Sequence, residues 1–305
     1  MKTIPFGPTN LTVSELSLGC MRMSGCSTSE AERLISTALE CGITFFEHAD
    51  IYGGGSSEEI FAKAVTSLGV AREDIVLQSK CGIRKGMFDF SQEHILSSVE
   101  GILKRLNTDY LDALLLHRPD ALMEPEEVGA AFSKLKADGK VRHFGVSNQN
   151  PSQMKLLASA LDMPLVANQV QLSICHTPML DHGFNVNMGD SPSVNRDGGI
   201  LEYARLHQMT LQPWSPLQHG FFDGVFLGHE KFPELNEVLD RIASEREMDA
   251  SAVAIAWLLR IPGSVQPILG SMTPDRIQKM SRAGEVNLSR EEWYELYRTA
   301  GNRLP

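Results

Sequence analysis

Eight short apolar runs recur along this chain, and the segments between them carry apolar residues at helical spacing. The runs have the length of buried strands and are bounded by turn residues. They cover residues 16–19, 44–46, 75–79, 111–116, 141–146, 165–170, 210–214 and 267–269. Strands that alternate with helices pair in parallel, and the right-handed crossover rule leaves few ways to connect them. Eight such units in 305 residues predict an α/β fold, a (β/α)8 (TIM) barrel that occupies residues 1–305 as a single domain.

Helix starts and the two termini complete this prediction. The first residues, up to about Thr12, are expected to form a hairpin over the bottom of the barrel. A last amphipathic helix around residues 289–300 is expected to pack outside it. Two of the other helices begin with the spacing of a capping box, in which a hydroxyl and a carboxylate satisfy backbone N–H groups. The pairs are Ser27 with Glu30 and Ser56 with Glu59.

The composition limits the partners of such a protein. Its formal net charge is -10, which argues against nucleic acid and anionic membranes as partners. It has no stretch of about 18 apolar residues, and its first residues do not resemble a signal peptide, so a cytoplasmic protein is expected. The five cysteines, without a Cys-x-x-Cys pair, fit a reducing compartment. We expect a monomer or a weak oligomer.

Titratable side chains stand at the ends of three successive apolar runs. The second run leads into Glu47, Asp50 and Tyr52, the third into Lys80, and the fourth into His117. The carboxyl ends of parallel barrel strands form the active-site face, so these side chains should meet at one mouth. A carboxylate, a phenol, an ammonium and an imidazole together predict a proton-donating site. The His-x-His pair of a metal-binding barrel is absent, so no metal is expected.

The same residues carry a resemblance to a known family. The segment Glu47-His48-Ala49-Asp50-Ile51-Tyr52-Gly53 is similar to the second-strand signature Asp-x-Ala-x-x-Tyr-Gly of the aldo-keto reductases. Lys80, His117, residues 139–148 and Asn168-Gln169-Val170 follow in the family's order, so the resemblance covers nearly the whole chain. It implies an enzyme that uses NADPH to reduce a small aldehyde or ketone, without metal or flavin.

The resemblance implies a role for each strand-end residue. Tyr52 would be the general acid that protonates the alkoxide formed by hydride transfer. Lys80 would lower the pKa of Tyr52, and His117 would orient and polarise the carbonyl oxygen. Glu47 stands where the family usually has the aspartate that holds this lysine. Its extra methylene leaves Asp50 as a rival partner for Lys80.

The resemblance also implies where the cofactor binds. The matching residues are Ser147, Asn148 and Gln169 for the nicotinamide carboxamide, Trp214 for stacking on the nicotinamide ring, Ser215 and Leu217 for the pyrophosphate segment, and Ser271, Thr273 and Arg276 for the adenosine 2′-phosphate. Two hydroxyls and a guanidinium suit a dianionic phosphate, so NADPH is expected. Gly270 replaces a lysine found in many members, which leaves NADH as an alternative of lower affinity.

Two long loops and one different function remain to be considered. Residues 173–198 and 215–233 are too long for plain connections, and we expect them to set substrate specificity. In the second loop, Phe221, Phe222 and Phe226 either line an apolar substrate pocket or anchor the loop. The same residues also fit a cofactor-binding regulatory subunit with little turnover, similar to the potassium-channel β subunits that share this fold.

Overall fold

The computed structural model describes residues 1–196 and 198–305, and in these residues eight parallel strands form a barrel. The strands, numbered in chain order, are β1 (Thr3–Pro5), β2 (Thr12–Ser14), β3 (Ser17–Gly19), β4 (Phe45–Glu47), β5 (Val76–Cys81), β6 (Ile83–Arg84), β7 (Met87–Phe88), β8 (Leu111–Leu116), β9 (Val141–Ser147), β10 (Leu165–Gln171), β11 (Thr210–Trp214) and β12 (Ile268–Leu269). The hydrogen-bonded order of the barrel strands is β11-β10-β9-β8-β5-β4-β3-β12. The barrel closes where Leu211 in β11 pairs in parallel with Val265, just before β12. The predicted (β/α)8 fold is confirmed.

Helices surround this barrel and shield its strands from water. In α1, the apolar stripe Ala31, Leu34, Ile35 and Ala38 is buried, and burial of each Leu or Ile side chain stabilises the fold by about 1.5–3 kcal/mol. The helices are α1 (Thr28–Glu40), α2 (Ser56–Leu68), α3 (Gln92–Leu106), α4 (Pro125–Ala137), α5 (Pro151–Ala158), α6 (Pro178–Phe184), α7 (Ile200–Leu206), α8 (Pro233–Glu245), α9 (Ala250–Leu259), α10 (Pro274–Ser281) and α11 (Arg290–Thr299). None of these described helices has the length and apolar composition needed to cross a membrane.

The N-terminal hairpin closes the bottom of the barrel. Strands β1 and β2 pair antiparallel, and the chain after β1 carries Phe6 against Phe45 of β4, with ring centroids 5.4 Å apart. Gly7 follows with a φ of +60°, and a Cβ there would lie 2.5 Å from the Val166 carbonyl oxygen. The backbone N–H of Gly7 donates to Thr210 Oγ1 at 2.9 Å. Only glycine therefore fits where the hairpin meets the barrel floor.

One of the two predicted capping boxes is present, and the prediction of the other is wrong. At α1, the Ser27 hydroxyl accepts from the Glu30 N–H, and the Glu30 carboxylate accepts from the Ser27 N–H. At α2, the predicted Ser56–Glu59 box is replaced by Gly55, which occupies the N-cap with a φ of +97°. Ser56 is already helical, and its hydroxyl donates to the Gly53 carbonyl at 2.7 Å. Consecutive glycines turn the chain into α2 without a side-chain cap.

The last helix, α11, packs against α8 and α9 outside the barrel. It begins after the N-cap Ser289, as the predicted span 289–300 requires. The Trp293 ring stacks on Trp257 of α9 with centroids 4.6 Å apart and planes inclined by 7°. Each indole N–H donates to the backbone carbonyl of the other residue at 3.0 Å. This reciprocal pair fixes α11 to the barrel wall, so both tryptophans are structural.

Candidate active site

A cavity of about 1060 Å³ opens at the carboxyl ends of the barrel strands. The residues predicted above for catalysis and cofactor binding all line it except Lys80, which is buried in contact with Glu47; the rival acid Asp50 does not line it either. The lining residues with predicted roles are Glu47, Tyr52, His117, Ser147, Asn148, Gln169, Trp214, Ser215, Leu217, Ser271, Thr273 and Arg276. Residues from most of the barrel's strand ends and loops therefore converge on one site, as the barrel topology leads us to expect.

The carboxylate of Glu47 joins Tyr52 and Lys80. The Tyr52 hydroxyl donates to Glu47 Oε1 at 3.0 Å. The Lys80 ammonium, which is completely buried, donates to the same oxygen and to the His48 carbonyl, the latter at 2.9 Å. The ammonium also lies 4.7 Å from the centre of the Tyr52 ring. Phenol, carboxylate and ammonium thus form one connected group at the cavity floor.

The Glu47 carboxylate lies beside a glycine on the neighbouring strand. Gly19 at the end of β3 pairs in register with Glu47. A Cβ on Gly19 would lie 3.2 Å from Glu47 Oε2 and 2.7 Å from the Ile268 side chain. The Glu47 carboxylate therefore lies close to residue 19, and a side chain there would be in tight contact with it.

The rival carboxylate, Asp50, belongs to a different buried cluster behind the site. Its backbone N–H donates to the Lys80 carbonyl at 3.0 Å, but its carboxylate is influenced by Glu58 and Arg105. Glu58 accepts from the Ser79 hydroxyl at 2.8 Å and from Arg105 Nε at 2.7 Å. Burial raises the pKa of Asp50 to about 7. The carboxylate that contacts the Lys80 ammonium is that of Glu47.

The pKa of Tyr52 is raised overall, and the expected lowering by Lys80 stays a prediction. Burial raises the pKa of Tyr52, Cys20 raises it further, and Arg118 acts in the opposite direction. Burial also lowers the pKa of Lys80 well below its usual range. The charge of Lys80 is compensated by Glu47, and a phenol that donates to a carboxylate is stabilised in its protonated form. Tyr52 consequently keeps its proton through the neutral pH range.

His117 presents a neutral imidazole beside the phenol. Burial lowers the pKa of His117 well below its usual range, and the charges of Lys80 and Arg118 lower it further. The rings of His117 and Tyr52 meet edge-on, with centroids 6.0 Å apart. Nδ1 of His117 is buried and has no hydrogen-bond partner among residues 1–196 and 198–305. A neutral imidazole here can donate one N–H to an oxygen that also faces the Tyr52 hydroxyl.

Amide and hydroxyl groups of β9, β10 and β11 form a hydrogen-bonded group on the adjacent wall. Ser147 Oγ donates to the Gln169 carbonyl at 3.0 Å and accepts from Asn148 Nδ2 at 2.7 Å. The indole N–H of Trp214 donates to Asn148 Oδ1 at 3.1 Å. Asn148 and Ser215 both have left-handed backbones, with φ of +56° and +53°. Such conformations are uncommon outside glycine and concentrate at functional sites.

The segment after β12 has groups that suit a phosphate. Arg276, in the first turn of α10, is exposed and has no ion-pair partner among the described residues. Ser271 and Thr273 line the cavity with it. Lys279 is nearby, but two carboxylates already engage its ammonium. Two hydroxyls and an uncompensated guanidinium therefore suit a dianionic phosphate group.

Two cationic residues of the cavity were missed by sequence reasoning. Arg22 lines the cavity and donates to the Gly270 carbonyl at 2.9 Å. Arg118 lines it next to His117, and its guanidinium carbon lies 5.6 Å from the centre of the Trp214 ring. Both follow the end of a barrel strand within a few residues, and this position was the signal available in the sequence. No group of three His, Cys, Asp or Glu side chains in the described part of the chain is arranged to hold a metal.

The two long loops contribute differently to the site. No described residue of 173–198 lines the cavity, so its expected place beside the substrate is not found. Its helix α6 is instead fixed to α11, because the Tyr297 hydroxyl donates to Asp181 at 2.6 Å. In the loop 215–233, Phe222 lines the cavity, whereas Phe226 is buried in the core. Phe222 thus belongs to the pocket, and Phe226 anchors the loop in the core.

Comparisons with known proteins show which family the chain resembles. The sequence profile of the Aldo/keto reductase family matches residues 15–299. A 6-dehydroglucose reductase of Agrobacterium fabrum is 36% identical over 304 residues, covering 95% of each chain. The crystal structure of the thermostable aldo-keto reductase Tm1743 has a TM-score of 0.77 and 28% identity, covering 98% of this chain and all of the other. A putative voltage-gated potassium channel subunit beta of Schizosaccharomyces pombe is 26% identical, covering 93% of this chain and 89% of its own.

Proposed function

Because the chain belongs to the aldo/keto reductase family of oxidoreductases, we propose that it reduces an aldehyde or ketone to the alcohol with NADPH. One observation carries the proposal. The Tyr52 hydroxyl, the Glu47 carboxylate and the Lys80 ammonium are in direct contact at the floor of a cavity that His117 also lines. A protonated phenol with a neutral imidazole beside it suits a carbonyl oxygen that must gain a proton.

Each polar group at the cavity floor has a distinct task in this reaction. A nicotinamide cofactor held in the cavity would supply a hydride to the carbonyl carbon, which would leave the C=O π electron pair, and the need for a proton, on the oxygen. The neutral imidazole of His117 donates an N–H to that oxygen and holds it near Tyr52. The Tyr52 O–H turns from Glu47 towards the oxygen and delivers its proton. Lys80 then lies close enough to stabilise the phenolate until a proton returns.

Other residues of the cavity would hold the cofactor. Aldo-keto reductases generally use a nicotinamide cofactor. The side chains of Ser147, Asn148 and Gln169 offer donors and acceptors to its carboxamide, and Trp214 offers a ring for stacking. Ser215 and Leu217 lie where the pyrophosphate segment is expected. The uncompensated charge of Arg276 favours NADPH over NADH.

Replacement of Tyr52 by phenylalanine tests the proposal directly. We expect Tyr52→Phe to lower kcat for an activated aldehyde such as 4-nitrobenzaldehyde by about 100- to 10,000-fold, because it removes the proton donor alone. NADPH affinity, measured by fluorescence titration, should remain unchanged. Tyr203→Phe is the matched control, since Tyr203 lies on α7 away from the cavity. Equal NADPH consumption by wild type and Tyr52→Phe would refute the assignment.

A cofactor-binding regulatory subunit is the second candidate. The similarity to a putative potassium channel subunit beta favours it, since such a protein could keep the cofactor groups of the cavity. It would bind NADPH tightly and consume it slowly or not at all across a panel of aldehydes and ketones. Steady consumption that depends on Tyr52 would reject this alternative.

A further inference from the structure

Arg118 is a cation of the cavity that pairs with no carboxylate among the residues that the structure describes. It lines the cavity together with Tyr52 and His117 and is half-buried. Its guanidinium carbon lies 5.6 Å from the centre of the Trp214 ring and 5.9 Å from that of Phe221. Contacts of this kind hold a guanidinium in place and leave its N–H groups free to bind a ligand.

The other half-buried arginines that the structure describes are in ion pairs, whereas Arg118 has no ion-pair partner among the described residues. Arg72 contacts Asp112 at 2.8 Å, and Arg105 contacts Glu58 at 2.7 Å. In the described part of the chain, no carboxylate lies within 4.0 Å of the Arg118 guanidinium, and none of its five N–H donors has a hydrogen-bond partner. A partly dehydrated charge without a partner is costly.

The acids of the cavity cannot fill this role. Glu47 is engaged by Lys80, and Asp249 and Asp275 are engaged by Lys279. The part of the cavity around Arg118 is otherwise aromatic or neutral, since His117 carries no charge at neutral pH. The anion that would complete the site therefore has to arrive with the ligand.

We propose that the substrate is a carbonyl acid, whose carboxylate pairs with Arg118 while its carbonyl faces Tyr52 and His117. This inference rests on the proposed function and specifies its substrate class. A carboxylate matches the planar fork of a guanidinium and can accept two parallel hydrogen bonds. A neutral hydroxyl could accept one of them but would leave the charge uncompensated. The aromatic rings of Trp214 and Phe222, which line the cavity, suit a flat or apolar segment between the two groups.

The test compares 4-carboxybenzaldehyde with its methyl ester, which has similar size but no charge. We expect wild type to have the higher kcat/KM for the acid. In Arg118→Gln the acid-to-ester ratio of kcat/KM should fall by about 10- to 100-fold, as the loss of a charge-assisted pair implies. Arg118→Lys, which keeps the charge without the fork, should fall in between. Arg22→Gln removes another cavity cation and should leave the ratio unchanged.

A binding measurement separates this inference from the proposed function. Calorimetry with protein saturated with NADP+ would compare 4-(hydroxymethyl)benzoate with its methyl ester. If neither aldehyde is turned over but the benzoate binds more tightly in an Arg118-dependent manner, the anion site stands and the proposed function fails. An acid-to-ester ratio that is the same in wild type and Arg118→Gln overturns the inference. So does an equal loss for both substrates, which would mean that Arg118 acts only on Tyr52.

Discussion

Replacement of Asp50 by asparagine should make the protein more stable at neutral pH and change how stability depends on pH. Burial raises the pKa of Asp50 from 3.8 to about 7, Glu58 raises it further, and Arg105 partly opposes them. Between about pH 4 and 7 the folded protein therefore holds one proton more at this residue than the unfolded chain does. The contribution of the protonated Asp50 carboxyl to the free energy of unfolding is fully present below pH 4 and is lost as the pH rises towards 7.

The size of this effect follows from the shift in pKa. Each unit corresponds to about 1.36 kcal/mol, so a shift of roughly three units sets an upper limit of about 4 kcal/mol. Asp50 is not completely buried, and water reduces the effect, so we expect about 2–4 kcal/mol. Asparagine has nearly the same shape and no charge. The stability difference between Asp50→Asn and wild type should therefore shift by this amount, in favour of asparagine, between pH 4 and pH 8.

Urea unfolding followed by tryptophan fluorescence at several pH values would measure this difference. Titrating groups that do not interact with Asp50 are common to both proteins and cancel in the comparison, whereas Glu58, whose charge acts on Asp50, contributes to the difference. Asp240→Asn is the control for the substitution itself, because Asp240 is exposed on α8. If the free energies of unfolding of wild type and Asp50→Asn change with pH in parallel, burial does not disfavour the charged form of the Asp50 carboxyl. Turnover of Asp50→Asn should stay within a few-fold of wild type, because the carboxylate in contact with Lys80 is that of Glu47.

Three further substitutions test the packing and charge of the site. Gly19→Ala should displace the Glu47 carboxylate and lower kcat by about a hundredfold, measured by NADPH consumption; a normal rate would mean that Glu47 tolerates the shift. Arg276→Gln should raise the Kd of NADPH about tenfold without changing that of NADH, measured by fluorescence titration; equal losses for both cofactors would contradict a 2′-phosphate contact. Glu58→Ala should cost about 3 kcal/mol in urea unfolding, because it leaves the Arg105 guanidinium unpaired; a loss below about 1 kcal/mol would mean that the pair contributes little.

Local patterns in the sequence were sufficient to predict the architecture and the chemical character of the site. Strand length, helical spacing and turn residues depend on neighbours along the chain, so the eight barrel strands were found close to their observed bounds. The topology of a parallel barrel then brings strand ends to one face. The convergence of Glu47, Tyr52 and His117 on one cavity therefore follows from their positions at strand ends. The resemblance to a family supports the same expectation.

Pairings and pKa directions were decided only by the tertiary structure. Glu47 contacts Lys80 beside Gly19 of another strand, where a side chain would be in tight contact with its carboxylate. The pKa of Tyr52 is raised because burial outweighs the nearby cations, and burial depends on packing across the whole barrel. In the sequence, Arg118 looks like an ordinary charged residue. The fold places it in the cavity, where no carboxylate of the described residues lies within 4.0 Å of its guanidinium. Hydration and charge pairing are set by residues far apart in the chain, and a one-dimensional pattern contains no distances between them.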